Sequence, residues 1–349
     1  PLWLKIQKEE IQMRNLKRAL SLALAAIMLI GMMVVSASAA GFDDFSDKDE
    51  IVNKDAVSML TILGVINGKE DGSFFDPAGN VTRAEMAKMI ATVLNQGADV
   101  DGLYVGMNTG LTDVKGHWAE SYINYCYSLG IIAGRGNGKF DPSATVTALE
   151  AAKMLLVAVG YDPKIEGFEG ADWAINVSVR ADEQGIFEGF TKDLSAPLNR
   201  DDAALLIYNA LDVEMIQSYT TNNYPIAYSD HRTILADKYG VIKVQGVVVA
   251  NEWASLASDD GDAALKEGKT TIYNGEGIFS TTGNTTVSKE DASLKTQTFN
   301  VSTPVDMLGK TVNLYIKKTT ILADSTVYGD PVVSDVNTVV TTGETVLYS

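Results

Sequence analysis

Between residues 51 and 63 the apolar side chains Ile51, Val52, Ala56, Val57, Met59, Leu60 and Leu63 recur at the spacing of one helical stripe. Trp118, Tyr122, Ile123, Cys126, Tyr127 and Leu129 repeat the pattern. A glycine follows each stripe directly, at Gly64 and Gly130, and another stands at Gly185. Glycine enters the left-handed region without a Cβ penalty, so the pattern predicts that helices stop at these three positions. A second stripe starts later in each copy: Met86, Met89, Ile90 and Val93, then Ala151, Met154, Leu155 and Ala158. Each unit therefore reads as helix, glycine-rich loop, helix.

The loops are versions of one another. G-V-I-N-G (Gly64 to Gly68), G-I-I-A-G (Gly130 to Gly134) and G-I-F-E-G (Gly185 to Gly189) each place two glycines four apart. An apolar residue then opens the next element at Val81, Val146 and Leu198. The first interval is longer, and the Gly, Asp and Asn-rich stretch from Gln96 to Gly110 accounts for most of the difference as a loop insertion. Tyr161 to Gly170 is a shorter connector. Three copies at regular order make an internal repeat.

The second helix of each unit carries a start signal. Thr82 with Glu85, and Thr147 with Glu150, fit the capping box, and Asn199 with Asp202 is a weaker variant. Arg83 and Arg200 occupy the first helical position, where the macrodipole disfavours a cation. They call for an anionic or polar partner, either a neighbouring carboxylate or a ligand. Ala148 stands at that position in the second copy.

H-W-A at His117, G-I-I-A-G at Gly130, G-K-F-D-P at Gly138 and V-T-R-A-E at Val81 together resemble the S-layer homology repeat of bacterial cell-surface proteins, over Phe42 to Val213. The resemblance implies three repeats, at 42–95, 111–161 and 171–213, forming an all-α pseudo-threefold bundle. It further implies that grooves between repeats bind a secondary cell-wall polysaccharide or peptidoglycan-linked glycan, an acidic one that is often pyruvylated. The glycan-binding residues carried over are Arg83, Arg200, Trp118, Trp173, Gly68, Gly134 and Gly189. Ala148 implies a weak groove. The third copy keeps Trp173-Ala174 without the histidine, and the first has no such tryptophan.

Beyond Val213 the pattern changes. Ser218 to Asn223 reads as a polar linker. Val241 to Ala250, Thr270 to Tyr273, Thr296 to Val301 and Thr311 to Ile316 read as strands, and Ala254 to Lys266 as a short helix or crossing loop. A mainly β domain of sandwich or small-barrel type is expected over 224–349. At the other end, Arg14, Lys17 and Arg18, the apolar run Ala19 to Val35 and Ala37-Ser38-Ala39 have the layout of a secretory signal, with residues 1–12 as a translated upstream segment. Export to the cell surface follows, with no membrane span after cleavage.

The chain carries a net charge of −17, and its first forty residues are net basic, so the remainder is more acidic still. Such a chain repels nucleic acid and anionic lipid. An acidic glycan meets the same long-range repulsion, so it must be held by local cations. No cofactor, metal centre or enzyme is implied. Asp43-Asp44 with Asp47-Lys48-Asp49, and Lys69 to Gly72, lack the ligand alternation of a calcium loop and read as solvated turns. Glu252, Asp259, Asp260 and Asp262 read as a polar loop rather than a glycosidase pair. The lone Cys126 lies on an apolar stripe and reads as core. The expected role is non-enzymatic wall anchoring of an S-layer or envelope protein, able to assemble into a lattice. The alternative is the anchor of a surface hydrolase or adhesin whose active module lies past Ser349, and a third reading has repeats that no longer bind glycan.

Overall fold

A computed structural model describes residues 41–69, 72–256, 264–275, 295–317 and 326–333. The secretory-signal expectation, the acidic pair Glu70-Asp71, and Asp259, Asp260 and Asp262 lie outside these residues.

Among the described residues six α-helices precede the strands: α1 (Lys54–Ile62), α2 (Arg83–Leu94), α3 (Glu120–Ser128), α4 (Ala148–Ala158), α5 (Trp173–Glu183) and α6 (Arg200–Ala210). The first helix of every unit ends as the glycines predict. Gly64, Gly130 and Gly185 have φ of 72°, 72° and 71°. Around each, the glycine N–H and the next N–H reach back to the last turn, as in Gly64 to Thr61 O and Val65 to Leu60 O. These paired bonds satisfy carbonyls that a helix end leaves open.

Helices pack across units rather than within them. α2 lies against α3, α4 against α5, and α6 returns to α1, so the pairing closes on itself, while α4 also touches α2 and α6. At the centre the three residues that open the second helices form a closed cycle of main-chain bonds. Val81 N donates to Leu198 O at 2.8 Å, Leu198 N to Val146 O at 2.8 Å, and Val146 N to Val81 O at 2.9 Å. All three side chains are buried. One continuous core results, with Phe45, Phe75, Phe140, Phe168 and Ile123 among its fully buried members.

Some stripe residues lie elsewhere than expected. α1 starts only at Lys54, so Ile51 is buried from the preceding turn and Val52 is 82% exposed. Trp118 precedes α3 and is 53% exposed, and Tyr127 and Leu129 also face solvent. Helix periodicity cannot assign residues that sit one turn before a helix or at its frayed end.

After α6 the chain forms a two-stranded ribbon, β1 (Ile216–Tyr219) with β2 (Pro225–Ala227), across part of the expected linker. A π-helical turn at Leu235–Tyr239 leads into an antiparallel sheet of β3 (Val241–Ala250), β4 (Thr270–Tyr273), β5 (Thr296–Phe299), β6 (Thr311–Lys317) and β7 (Val327–Val333), ordered β5-β4-β3-β6-β7. The four expected strands are present within a residue or two. Among the described residues they join β7 in one sheet, as a mainly β region requires.

The central pair β3 and β6 runs in unbroken register from Val241 opposite Lys317 to Val247 opposite Thr311. Alternation along it divides two faces. Ile242, Val244, Val248, Val312, Leu314 and Ile316 form a small core with Ile272 and Phe299. The opposite face meets the helices: Val241 and Tyr315 join the helical core, Tyr315 Oη lies 2.6 Å from Tyr208 Oη of α6, and Lys243 pairs with Asp212. A helical bundle thus covers the sheet on that side.

Candidate functional site: cationic grooves between the helical units

The predicted caps are in place. Thr82 accepts from Glu85 N while Glu85 Oε2 accepts from Thr82 N at 2.7 Å, and Thr147 with Glu150 forms the same reciprocal pair. Asn199 accepts from Asp202 N at 2.8 Å without a return bond. The first two N–H groups of α2 and α6 are satisfied by a neighbouring unit: Arg83 N by Ala144 O and Ala84 N by Pro142 O, Arg200 N by Gly79 O and Asp201 N by Pro77 O. Each arginine is thereby fixed over the loop of another unit.

Arg83 Nε donates to Phe140 O at 2.9 Å, its guanidinium stacks 4.5 Å from the Phe140 ring centroid, and Nη1 pairs with Glu150 Oε1 at 3.1 Å. Arg200 repeats the first two contacts one unit away: Nε donates to Phe75 O at 2.7 Å, and the guanidinium lies 5.1 Å from the Phe75 ring. Its Nη2 reaches Asn67 O at 3.4 Å. Burial pushes the pKa of both arginines down, and the carbonyls and rings replace lost hydration. Arg83 thus has the internal carboxylate that its helix position called for, whereas among the described residues Arg200 has no carboxylate within 4.0 Å.

Two aspartates shape these loops, and one was misread from sequence. The Asp47 carboxylate accepts from Phe75 N and Asp76 N at 2.9 and 2.7 Å, and Asp113 does the same for Phe140 N and Asp141 N at 2.9 Å each. Asp47 is buried rather than part of a solvated turn. F-S-D (45–47) and L-T-D (111–113), each near the start of a unit, were the signal.

The Arg83 side opens into a cleft of about 520 Å³ lined also by Gly134, Arg135, Glu150, Lys153, Glu169 and Trp173. Three of the residues expected to bind glycan, Arg83, Gly134 and Trp173, therefore share one wall, and the connector ending at Gly170 forms its rim. Lys153 Nζ lies 5.8 Å from the Trp173 ring, and burial pushes its pKa down against the pull of Glu169. Lys88 stands in the same relation to Trp118, at 6.0 Å, with the Tyr122 ring at 5.2 Å. The lysines were overlooked in sequence although E-M-A-K-M (85–89) and E-A-A-K-M (150–154) align them.

The remaining glycines divide by cause. A Cβ at Gly68 would collide with the Gly72 carbonyl, whereas one at Gly189 would only touch Leu205 at an ordinary 3.7 Å but would sit at a φ of 74°. Gly189 lines a different cleft, of about 800 Å³, under the sheet with Leu205, Tyr208, Lys243, Gln245 and Asn313. Among the described residues no arginine or tryptophan lines it.

Residues 44–87 and 110–152 match the S-layer homology domain, so the chain carries two such repeats. It is 29% identical over 274 residues to a cell surface protein of Thermoanaerobacter kivui, covering 77% of this chain and 32% of that one. An S-layer protein of Bacillus thuringiensis subsp. finitimus is 30% identical over 190 residues, 52% of this chain and 22% of its own length. Exoglucanase XynX of Acetivibrio thermocellus is 28% identical over 183 residues, 48% and 16%. The chain spans about a third or less of these relatives. Coverage of 77% exceeds residues 1–213, so the likeness to the first relative extends into the sheet region.

Proposed function

We propose that this chain attaches an exported protein to the bacterial cell wall. In this reading 171–213 is a third S-layer homology unit, and the three units stand around a pseudo-threefold axis through the Val81, Val146 and Leu198 cycle. The units span 42–95, 111–161 and 171–213 in this reading, and the β-rich domain 224–349. The grooves hold an acidic secondary wall polysaccharide, of the kind that carries pyruvylated sugars, through Arg83, Arg200, Trp118, Trp173, Gly68 and Gly134, with Lys88 and Lys153 added. The carrying observation is the cleft in which Arg83, Lys153 and Trp173 converge. An aromatic wall with nearby cations suits a sugar that bears a carboxylate. Steering by net charge opposes the encounter, so retention should weaken with salt only through these local contacts.

The non-enzymatic reading, an S-layer or envelope component with self-assembly through the outer part of the molecule, draws on the cell surface and S-layer relatives. The exoglucanase relative favours a second reading, the anchor of a wall-bound hydrolase. The test is co-sedimentation of the chain with purified wall sacculi before and after chemical removal of the acidic polymer. Retention that survives removal of the polymer, or that is unchanged in Arg83→Ala/Arg200→Ala, would defeat the assignment.

A further inference from the structure

The surroundings of the two arginines are built alike and wired differently. Each is the first residue of a helix and stands near the third residue of a helix in another unit, Arg83 by Glu150 with Lys153 lining the same cleft, and Arg200 by Glu85. In the first groove Glu150 Oε1 lies 3.1 Å from Arg83 Nη1 and 3.3 Å from Arg135 Nη2. Glu150 Oε2 accepts from Thr147 N at 3.1 Å, so the carboxylate both caps α4 and bridges two guanidinium groups. Arg135 is also paired to Asp141 at 3.2 Å. In the second groove Glu85 is turned onto Thr82, whose N and Oγ1 lie 2.7 and 2.8 Å from Oε2. Among the described residues the hydrogen bonds of Arg200 go to carbonyl oxygens, with Glu85, Asp76 and Asp47 acting on it from a longer range, and Lys69 beside Gly68 is paired with Asp76 at 2.5 Å.

A carboxylate ligand entering the first groove meets an anion already seated on its cation. It must displace Glu150 or bind beside a like charge. At Arg200 the acceptors in direct contact, among the described residues, are neutral carbonyls, and Glu85, Asp76 and Asp47 act on it only from beyond ion-pair distance, so an entering carboxylate has no seated counter-ion to displace. We infer that the grooves are unequal anion sites: the Arg200 groove is the tight one, and Glu150 is an internal competitor that sets the affinity of the Arg83 groove. This rests on the proposed wall-glycan reading.

The experiment is calorimetric titration of the full chain with an N-acetylhexosamine bearing a pyruvate ketal, with the unmodified sugar as neutral control and sacculi co-sedimentation run alongside. Arg200→Ala should abolish the tighter phase. Arg83→Ala should leave that phase intact and remove only the weaker one. Glu150→Gln should tighten the weaker phase by roughly tenfold, because an amide keeps the cap but not the charge. The gain should vanish in Arg83→Ala/Glu150→Gln, which separates competition from a general change in fold. Equal losses from the two arginine variants, or no gain from Glu150→Gln, overturns the inequality while leaving wall attachment standing. Ketal-sugar binding with this ranking but no retention on sacculi defeats wall attachment and keeps the inequality. No binding of the ketal sugar by wild type and Glu150→Gln alike overturns the inequality as well.

Discussion

The hydroxyls of Tyr208, on α6, and Tyr315, on β6, lie 2.6 Å apart and tie the helices to the sheet. Their rings meet edge to face at 5.9 Å. Losing either hydroxyl leaves the other without its partner in a largely dry place, so Tyr208→Phe and Tyr315→Phe should each cost about 1 kcal/mol. Removing both should cost less than the sum, since no orphan remains. A double-mutant cycle by urea denaturation reads this directly. Additive costs would mean that the contact contributes nothing.

The same pair sets an alkaline limit. Burial pushes the pKa of both tyrosines upward, and their mutual contact holds Tyr315 higher still. A raised folded pKa favours the protonated state of the folded chain. The contribution is complete below the unfolded tyrosine pKa of about 10 and is lost as pH rises above it. Stability should therefore fall from about pH 10 upward, and the fall should be shallower in Tyr208→Phe/Tyr315→Phe. Thermal melts between pH 8 and 11.5 test the slope.

Asp113 acts at the acid end. Burial works against its charge, but the N–H groups of Phe140 and Asp141 outweigh that and hold its pKa below the usual carboxylate range. A depressed folded pKa contributes stability above the unfolded value of about 3.9, lost as pH falls through the folded value. Asp113→Asn should destabilise at pH 7 by about 1 kcal/mol, allowing for solvent screening, and the gap to wild type should close below about pH 3. A gap that persists in acid would assign the effect to shape rather than charge.

How far the sequence disclosed this molecule depends on the range of the forces involved. Schellman ends at Gly64, Gly130 and Gly185 and the boxes at Thr82 and Thr147 are local, made within a few residues, and so were legible. The strands Val241–Ala250 and Thr311–Lys317 were legible for the same reason. β7 was overlooked because Gly329 and Pro331 break its pattern. The partnership of Arg83 with Phe140 and Glu150 joins residues far apart in the chain, and only the closed packing of helices brings them together. The strands were expected to build a sandwich or small barrel, and the described part of their sheet is covered on one face by helices. Nothing in the strands themselves says that the cover is helical.

The caps offer a graded series. Thr82→Ala removes a hydroxyl that also bonds Glu85 Oε2, whereas no such side-chain bond supports Thr147. Both losses should fall near 1 kcal/mol, with Thr82→Ala the larger, and Asn199→Gly only a few tenths. Chemical denaturation ranks them. Equal effects at Thr82 and Thr147 would show that the extra hydroxyl bond carries no weight.

Cys126 is fully buried, and burial pushes its thiol pKa up to about 12. The thiolate is the reactive form, so a thiol reagent at pH 8 should label the folded chain only through opening of the helical core. Labelling should track global unfolding in urea, and rapid labelling in buffer would contradict the burial of α3 against Ala87 O, 3.5 Å from the sulfur.

Trp118 and Trp173 hold matching places beside Lys88 and Lys153 but differ in burial, and this separates stability from binding. Trp173 packs against the helical core, so Trp173→Ala should cost roughly 2 kcal/mol or more. Trp118 is 53% exposed, with its ring tilted against those of His117 and Tyr122, and Trp118→Ala should change stability by less than about 1 kcal/mol. If the exposed ring is a platform for sugar, its loss must show in retention instead. Co-sedimentation of Trp118→Ala with sacculi should drop severalfold while its melting temperature stays within a few degrees of wild type. Full retention would remove Trp118 from the groove's binding set and leave Lys88 and Arg200 to hold the glycan by charge alone.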